Sequence, residues 1–280
     1  MAKAGSDSPH LDEEERDQAA EHAAIGPMVI HEVVREEGEA ELERRGSALA
    51  WSGLAAGLSM GFSFLCLSQI HAGLPEGAPW GRLVDSFGYS VGFLIVILGR
   101  QQLFTESTLT AVLPVLIRRD GKTLLSTLRV WGIVLAANLV GTYIFAALIS
   151  PSGIFAEPVR AALADVARES VSGVFAPTLL KSVFAGWLIA LMVWLLPSAG
   201  SARMFVIILI TYVVAMGRLS HTIAGSVEAA YAVFTGGAGI RDYLWGFLAP
   251  TLIGNTIGGV ALVALLNHAP LAAELQGTAA

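Results

Sequence analysis

The chain has 280 residues, of which 54% are hydrophobic and 14% charged, and a formal net charge of −6. A soluble domain carries about 25% charged residues, so this composition excludes an ordinary soluble domain and indicates a bilayer protein. The acidic balance sits largely in the first 45 residues and argues against nucleic-acid binding.

That opening segment is polar (HLDEEERDQAAEH, REEGEAELERR) with no early apolar core, so no secretory signal is read in it. Within it, MVIHEVVREEGEAELERR spaces its apolar residues like one face of a short helix and ends in Arg44 and Arg45. The expectation is a solvated, partly helical acidic arm over 1–45, a transmembrane transport domain over 46–268 and a short tail over 269–280. Six apolar runs, at 48–70, 83–118, 124–150, 174–196, 203–236 and 242–266, are long enough to cross a hydrocarbon core of about 30 Å. The first holds the single cysteine, Cys66, which can form no internal disulfide, and Gly53, Gly57 and Gly61 at four-residue spacing, a surface for close helix contact.

The second and fifth runs are too long for one span, and polar residues interrupt both. The interruptions overlay: GRQQLFTES at 99–107 on GRLSHTIAG at 217–225, an offset of 118 residues. ANLVG in the third run and GNTIGG in the sixth pair Asn138 with Asn255 and Gly141 with Gly258 at an offset of 117. Each half then holds three spans, and an odd number reverses the second half. The expected fold is therefore all-α and integral to the membrane: six transmembrane helices in a 3+3 inverted repeat, the second and fifth interrupted. Matched interruptions in such halves point to a transport site at the bilayer midplane. Lysine and arginine bias favours both termini in the cytoplasm of a multi-pass plasma (bacterial inner) membrane protein.

The first interruption carries Gln102, Phe104, Thr105 and Glu106; the second carries His221 between Ser220 and Thr222. A histidine at membrane depth is costly unless hydrogen-bonded or hydrated, and an imidazole can donate to an anion and exchange a proton. Thr105 offers a hydroxyl toward the same place by the symmetry of the repeat. Phe104 would narrow the path, since an apolar constriction resists bare ions. Arg100, Arg218, Glu106 and Glu228 are expected to be paired or to face cavities, and Lys181 to reach the interface or a vestibule.

In QLFTES, SHTIAGS, GWLIALMVW and the two Asn-x-x-Gly pairs, the chain resembles the formate/nitrite transporter family over about residues 46–266. The resemblance implies an aquaporin-like fold without Asn-Pro-Ala motifs, a homopentamer, and one path per protomer for a small monovalent anion such as formate, nitrite or hydrosulfide, commonly with a proton. It carries the family's central histidine to His221, its threonine to Thr105 and its hydrophobic constriction to Phe104, with Phe93 and Val214 by spacing. The departures are Gln102 for an acidic residue, Arg100 for glycine, Glu106-Ser107 for Gly-Asn, Ser220 for glutamate, and Gly186 and Gly225 for asparagines. They point to a divergent, YfdC-like branch. Two alternatives stay open: the same fold passing a neutral solute or a cation, and a non-conducting membrane scaffold or sensor. No metal-ligand cluster, phosphate loop or nucleophile constellation is present, so neither an enzyme nor a cofactor is expected.

Overall fold

The computed structural model describes residues 8–151 and 153–270. The start of the arm (1–7) and most of the expected tail (271–280) lie outside the described residues. Two helices precede the apolar part, α1 (Glu13–His22) and α2 (Pro27–Glu43). A capping box, in which Asp12 accepts from the Glu15 N–H and Glu15 from the Asp12 N–H, starts α1. Proline opens α2, where its missing N–H costs nothing.

Among the described residues, five helices are long and apolar enough to cross a membrane: α3 (Gly46–Ala72), α4 (Gly81–Leu98), α7 (Gly121–Ile149), α9 (continuing to Ser198 from Phe175) and α12 (Asp242–Pro270). The second apolar run ends α4 at Leu98 and resumes as α5 (Phe104–Thr110) and α6 (Val112–Arg118). The fifth divides into α10 (Arg203–Met216) and α11 (Thr222–Phe234). An amphipathic helix, α8 (Glu157–Val171), joins α7 to α9. Turns of π-helix at Asp242–Leu248 and Gly258–Leu265 lie within α12.

Small residues set the closest approaches. A Cβ on Gly57 would strike the backbone of Asn138, and one on Gly141 the backbone of Leu54 and Leu58, so α3 and α7 pack backbone to backbone. Gly186 and Gly258 do the same for α9 and α12. The glycines of α3 thus make their contact within the chain, Gly53 and Gly57 on Asn138 and Gly61 on Phe145.

The arm departs from the solvated helix expected of it. His31, Val34 and Gly38 of α2 are buried, and a Cβ on Gly38 would collide with the Thr110 carbonyl of α5. The Thr110 hydroxyl donates to Glu41 at 2.9 Å, and a hydrogen bond of 3.0 Å joins His31 Nε2 to His268 Nδ1 on α12. The arm therefore lies across the end of α5 and binds the last helix as well. Burial pushes the Glu41 carboxyl up to about 7, outweighing the Thr110 hydrogen bond.

Candidate functional site

The two breaks are built from one plan. After α4, Gly99 is followed by Arg100 in the left-handed conformation (φ 49°), and the Gln101 N–H reaches back to the Val96 carbonyl at 2.9 Å. After α10, Gly217 precedes Arg218, also at φ 49°, and the Leu219 N–H reaches the Val214 carbonyl at 3.0 Å. Both are Schellman-type ends with arginine where glycine is the usual occupant. A non-glycine residue held there costs of order 1–3 kcal/mol, a strain the surrounding packing must support.

Beyond the turn an extended residue starts each new helix: Leu103 (φ −111°, ψ 127°) before α5 and His221 (φ −107°, ψ 129°) before α11. Helix starts leave backbone N–H groups without partners, and at this depth protein must supply them. Asn138 accepts from the Phe104 N–H at 2.9 Å and donates to the Gln102 and Gly53 carbonyls at 2.9 and 2.7 Å. Asn255 accepts from the Thr222 N–H and hydroxyl, both at 2.8 Å, and donates to the Ser220 and Ser182 carbonyls at 3.0 and 2.7 Å. Each asparagine clamps one break to the long helix beside it.

The breaks meet at Thr105 and His221, whose Oγ1 and Nε2 lie 2.8 Å apart, both side chains about 1% exposed. Nδ1 of His221 accepts the Ala224 N–H at 3.2 Å as the N-cap of α11. Since Nδ1 is an acceptor, the ring hydrogen sits on Nε2 and is donated to Thr105. The Thr105 hydroxyl, accepting from the ring, has its own hydrogen left to give. Phe93 stands edge-on to the imidazole with centroids 5.1 Å apart, and Phe104 edge-on to Trp131 at 5.8 Å. Val214 is wholly buried in the same apolar layer.

Two cavities end on opposite sides of this layer. One, of about 560 Å³, lies at the last turn of α4 and is lined by Gln102, Glu106, Arg100 and the carboxylates of α2. The other, of about 330 Å³, lies at the first turns of α4 and reaches Ser220, His221, Glu228 and Lys181. Arg100 leaves the break to bind Glu37 at 3.0 Å, and Arg218 binds Glu169 at 2.6 Å. Glu106 Oε1 and Gln102 Oε1 are buried without a hydrogen-bond partner, and Glu228 makes no ion pair among the described residues. Every sequence-selected site residue thus falls at a break, in the layer between the cavities, on a cavity wall or on a clamping helix. Sequence reasoning missed Glu41, the His71–Asp85 pair at 2.8 Å in the second cavity, and Glu169, which also reaches Arg82 at 3.4 Å. Gly38, a lone glycine inside a charged helix, was the available sign that α2 touches something closely.

Residues 28–269 match the family model described as "Formate/nitrite transporter". The chain belongs to the formate/nitrite transporter family. It is 43% identical over 249 residues to the Escherichia coli inner membrane protein YfdC, covering 89% of this chain and 80% of that one. It is 28% identical to the Plasmodium vivax formate-nitrite transporter over 75% of this chain and 69% of that one. Among solved structures, one titled "FNT family ion channel" superposes with a TM-score of 0.75 at 18% identity, over 85% of this chain and 97% of that chain. A pentameric formate channel with formate bound gives 0.66 at 20% identity, over 83% and 96%. At those identities the structures establish the fold, and within this family the chain is a multi-helix membrane protein.

Proposed function

We propose that this member of the family is a channel or proton-coupled transporter for small monovalent anions of the formate, nitrite or hydrosulfide kind. In this reading it forms a homopentamer in the bacterial inner membrane, with both termini in the cytoplasm and one path through each protomer. Its six segments form two oppositely directed halves of three, and the like construction of the two breaks supports that arrangement.

The observation that carries the reading is the 2.8 Å contact between His221 and Thr105, which joins the breaks in the layer between the two cavities. The ring donates to the threonine, so the threonine hydrogen turns toward whatever occupies the path. The N-terminus of α11 adds partial positive charge at the same point. Both features favour an acceptor solute bearing negative charge. Phe93, Phe104 and Val214 offer that charge no replacement for its water, so a bare ion pays its desolvation there and the protonated, neutral form of a weak acid crosses most readily.

A neutral solute or a cation is favoured by a different observation, the carboxyl groups of Glu106 and Glu228, one in each cavity. Flux into liposomes of formate, nitrite, chloride and a neutral polyol separates the readings. The anion reading expects selective formate or nitrite uptake that rises at acid pH and falls in His221→Ala and His221→Asn. Polyol uptake without formate or nitrite uptake would overturn it. Absence of any flux, together with capture of a cytoplasmic protein by the arm, would support the scaffold instead.

A further inference from the structure

The central imidazole is poorly placed to trade protons with a passing solute. Its Nδ1 is committed to the Ala224 N–H and its Nε2–H to Thr105. Forming imidazolium would require Nδ1 to give up the cap of α11, and would set a charge in a site 1% exposed. If the path moves a weak acid together with a proton, the exchangeable proton needs another holder.

The cavity at the last turn of α4 provides one. Glu106, the residue after Thr105, faces it with Oε1 buried and unpartnered. Glu41 enters the same cavity from the arm and accepts from Thr110, one helical turn beyond Glu106 on α5. The other charged groups of the cavity are Glu36, Glu37 and Arg44 of the arm, Arg100 of the turn and Arg203 at the start of α10. Arg100 is engaged by Glu37, and neither Arg44 nor Arg203 makes an ion pair with Glu106 among the described residues.

We propose that the carboxyl groups of Glu106 and Glu41 form the proton-exchange site of the path, where a weak-acid solute gains or loses its proton at the arm-side mouth. The inference rests on the anion-transport reading and names its proton donor. An arriving anion takes the proton of a protonated carboxyl, leaving a neutral acid and a carboxylate, and the carboxylate regains a proton from water on that side. In the reverse direction the neutral acid protonates the carboxylate and leaves through the arm-side mouth as the anion. His221 then acts as a fixed hydrogen-bond donor through Thr105 and positions the solute.

The test uses the full chain in liposomes, with formate as the probe and pH varied on the arm side alone. Wild-type uptake should rise with acidification by up to about tenfold per pH unit while the carboxyl is mostly ionised, and level off once it is protonated, as expected when one titrating group supplies the proton. Glu106→Gln should lose that rise, Glu106→Asp should keep it, and Glu41→Gln should shift its midpoint. The absorbance of the protonated-carboxyl infrared band that titrates with the rise should fall in Glu106→Gln and again in Glu41→Gln. Should Glu106→Gln fail to assemble, Glu41→Gln and Glu106→Asp carry the same reading through the midpoint. Wild-type uptake with an unchanged pH profile in Glu106→Gln, or in Glu41→Gln where that variant stands in, overturns the inference and leaves the transport reading intact. Wild-type chain that takes up neither formate nor nitrite at any pH overturns the transport reading. The infrared titration then decides the carboxyl site by itself, absence of the band counting against it.

Discussion

The break after α4 and the break after α10 share a turn, an extended residue and an asparagine clamp, yet they differ at the position where chemistry is possible. Leu103, in the extended place of the first, offers no acceptor to its helix, and the first charged side chain there is Glu106 in the opening turn of α5. His221 occupies the same place in the second and caps α11 with its own ring. The common parts answer a backbone demand, since a broken helix in lipid must have its N–H and C=O groups satisfied. On the proposed function, the differing parts answer a solute demand. Scaffold and chemistry are therefore separable, and substitutions should fall into two groups.

Loss of a clamp should have the largest effect. Asn255→Ala removes four hydrogen bonds and Asn138→Ala three, each stranding buried backbone groups. At about 1–3 kcal/mol for each stranded group, both variants should lose more than about 3 kcal/mol and assemble poorly, Asn255→Ala the worse. Thermal unfolding in detergent measures this, and equal stability to wild type would break the shared-scaffold account. A smaller loss is expected from His221→Ala, which uncaps α11 at a cost of about 1 kcal/mol, while His221→Asn should recover most of it because asparagine caps well. Both should nonetheless conduct poorly, and a Leu103→Ala control should show no cap loss.

The arm distinguishes the breaks in a third way, because Glu41 bears on the first only. Its carboxyl is raised by burial from an ordinary 4.5 to about 7, so the neutral form favours the docked arm. That contribution is complete below the unfolded value of 4.5 and is lost as pH climbs through about 7. Amide hydrogen exchange in α2, corrected for intrinsic rates, should therefore quicken above neutral pH, and Glu41→Gln should flatten the response. The smallest effects belong to the turns. Arg100→Gly and Arg218→Gly each relieve a positive φ but lose an exposed ion pair and add the unfolded-chain freedom of glycine, terms of about 1 kcal/mol each that largely cancel, so either should change stability by about 1 kcal/mol or less.

Much of this was legible in the sequence for a local reason. Gly-Arg after an aliphatic run marks a helix end, and polar residues in an apolar segment cannot continue as lipid-facing helix. The repeat then ties Gln102 to Ser220 and Asn138 to Asn255 by offset alone. What the sequence hid is non-local. The contacts of Glu41 with Thr110, 69 residues away, and of His31 with His268, 237 away, depend on helices whose mutual placement no local pattern encodes. The pairing of Glu169 with both Arg82 and Arg218 is hidden likewise, since it joins α8 to residues far from it in the chain.

The central claim is that the solute passes between the two breaks at Thr105 and His221. A cryo-electron-microscopy map of the purified protein with formate tests it directly. The account predicts solute density between the two cavities, within hydrogen-bond reach of the Thr105 hydroxyl and beside the Phe93 and Phe104 rings. Formate density confined to a route outside the protomer, with the Thr105–His221 contact sealed, would contradict it.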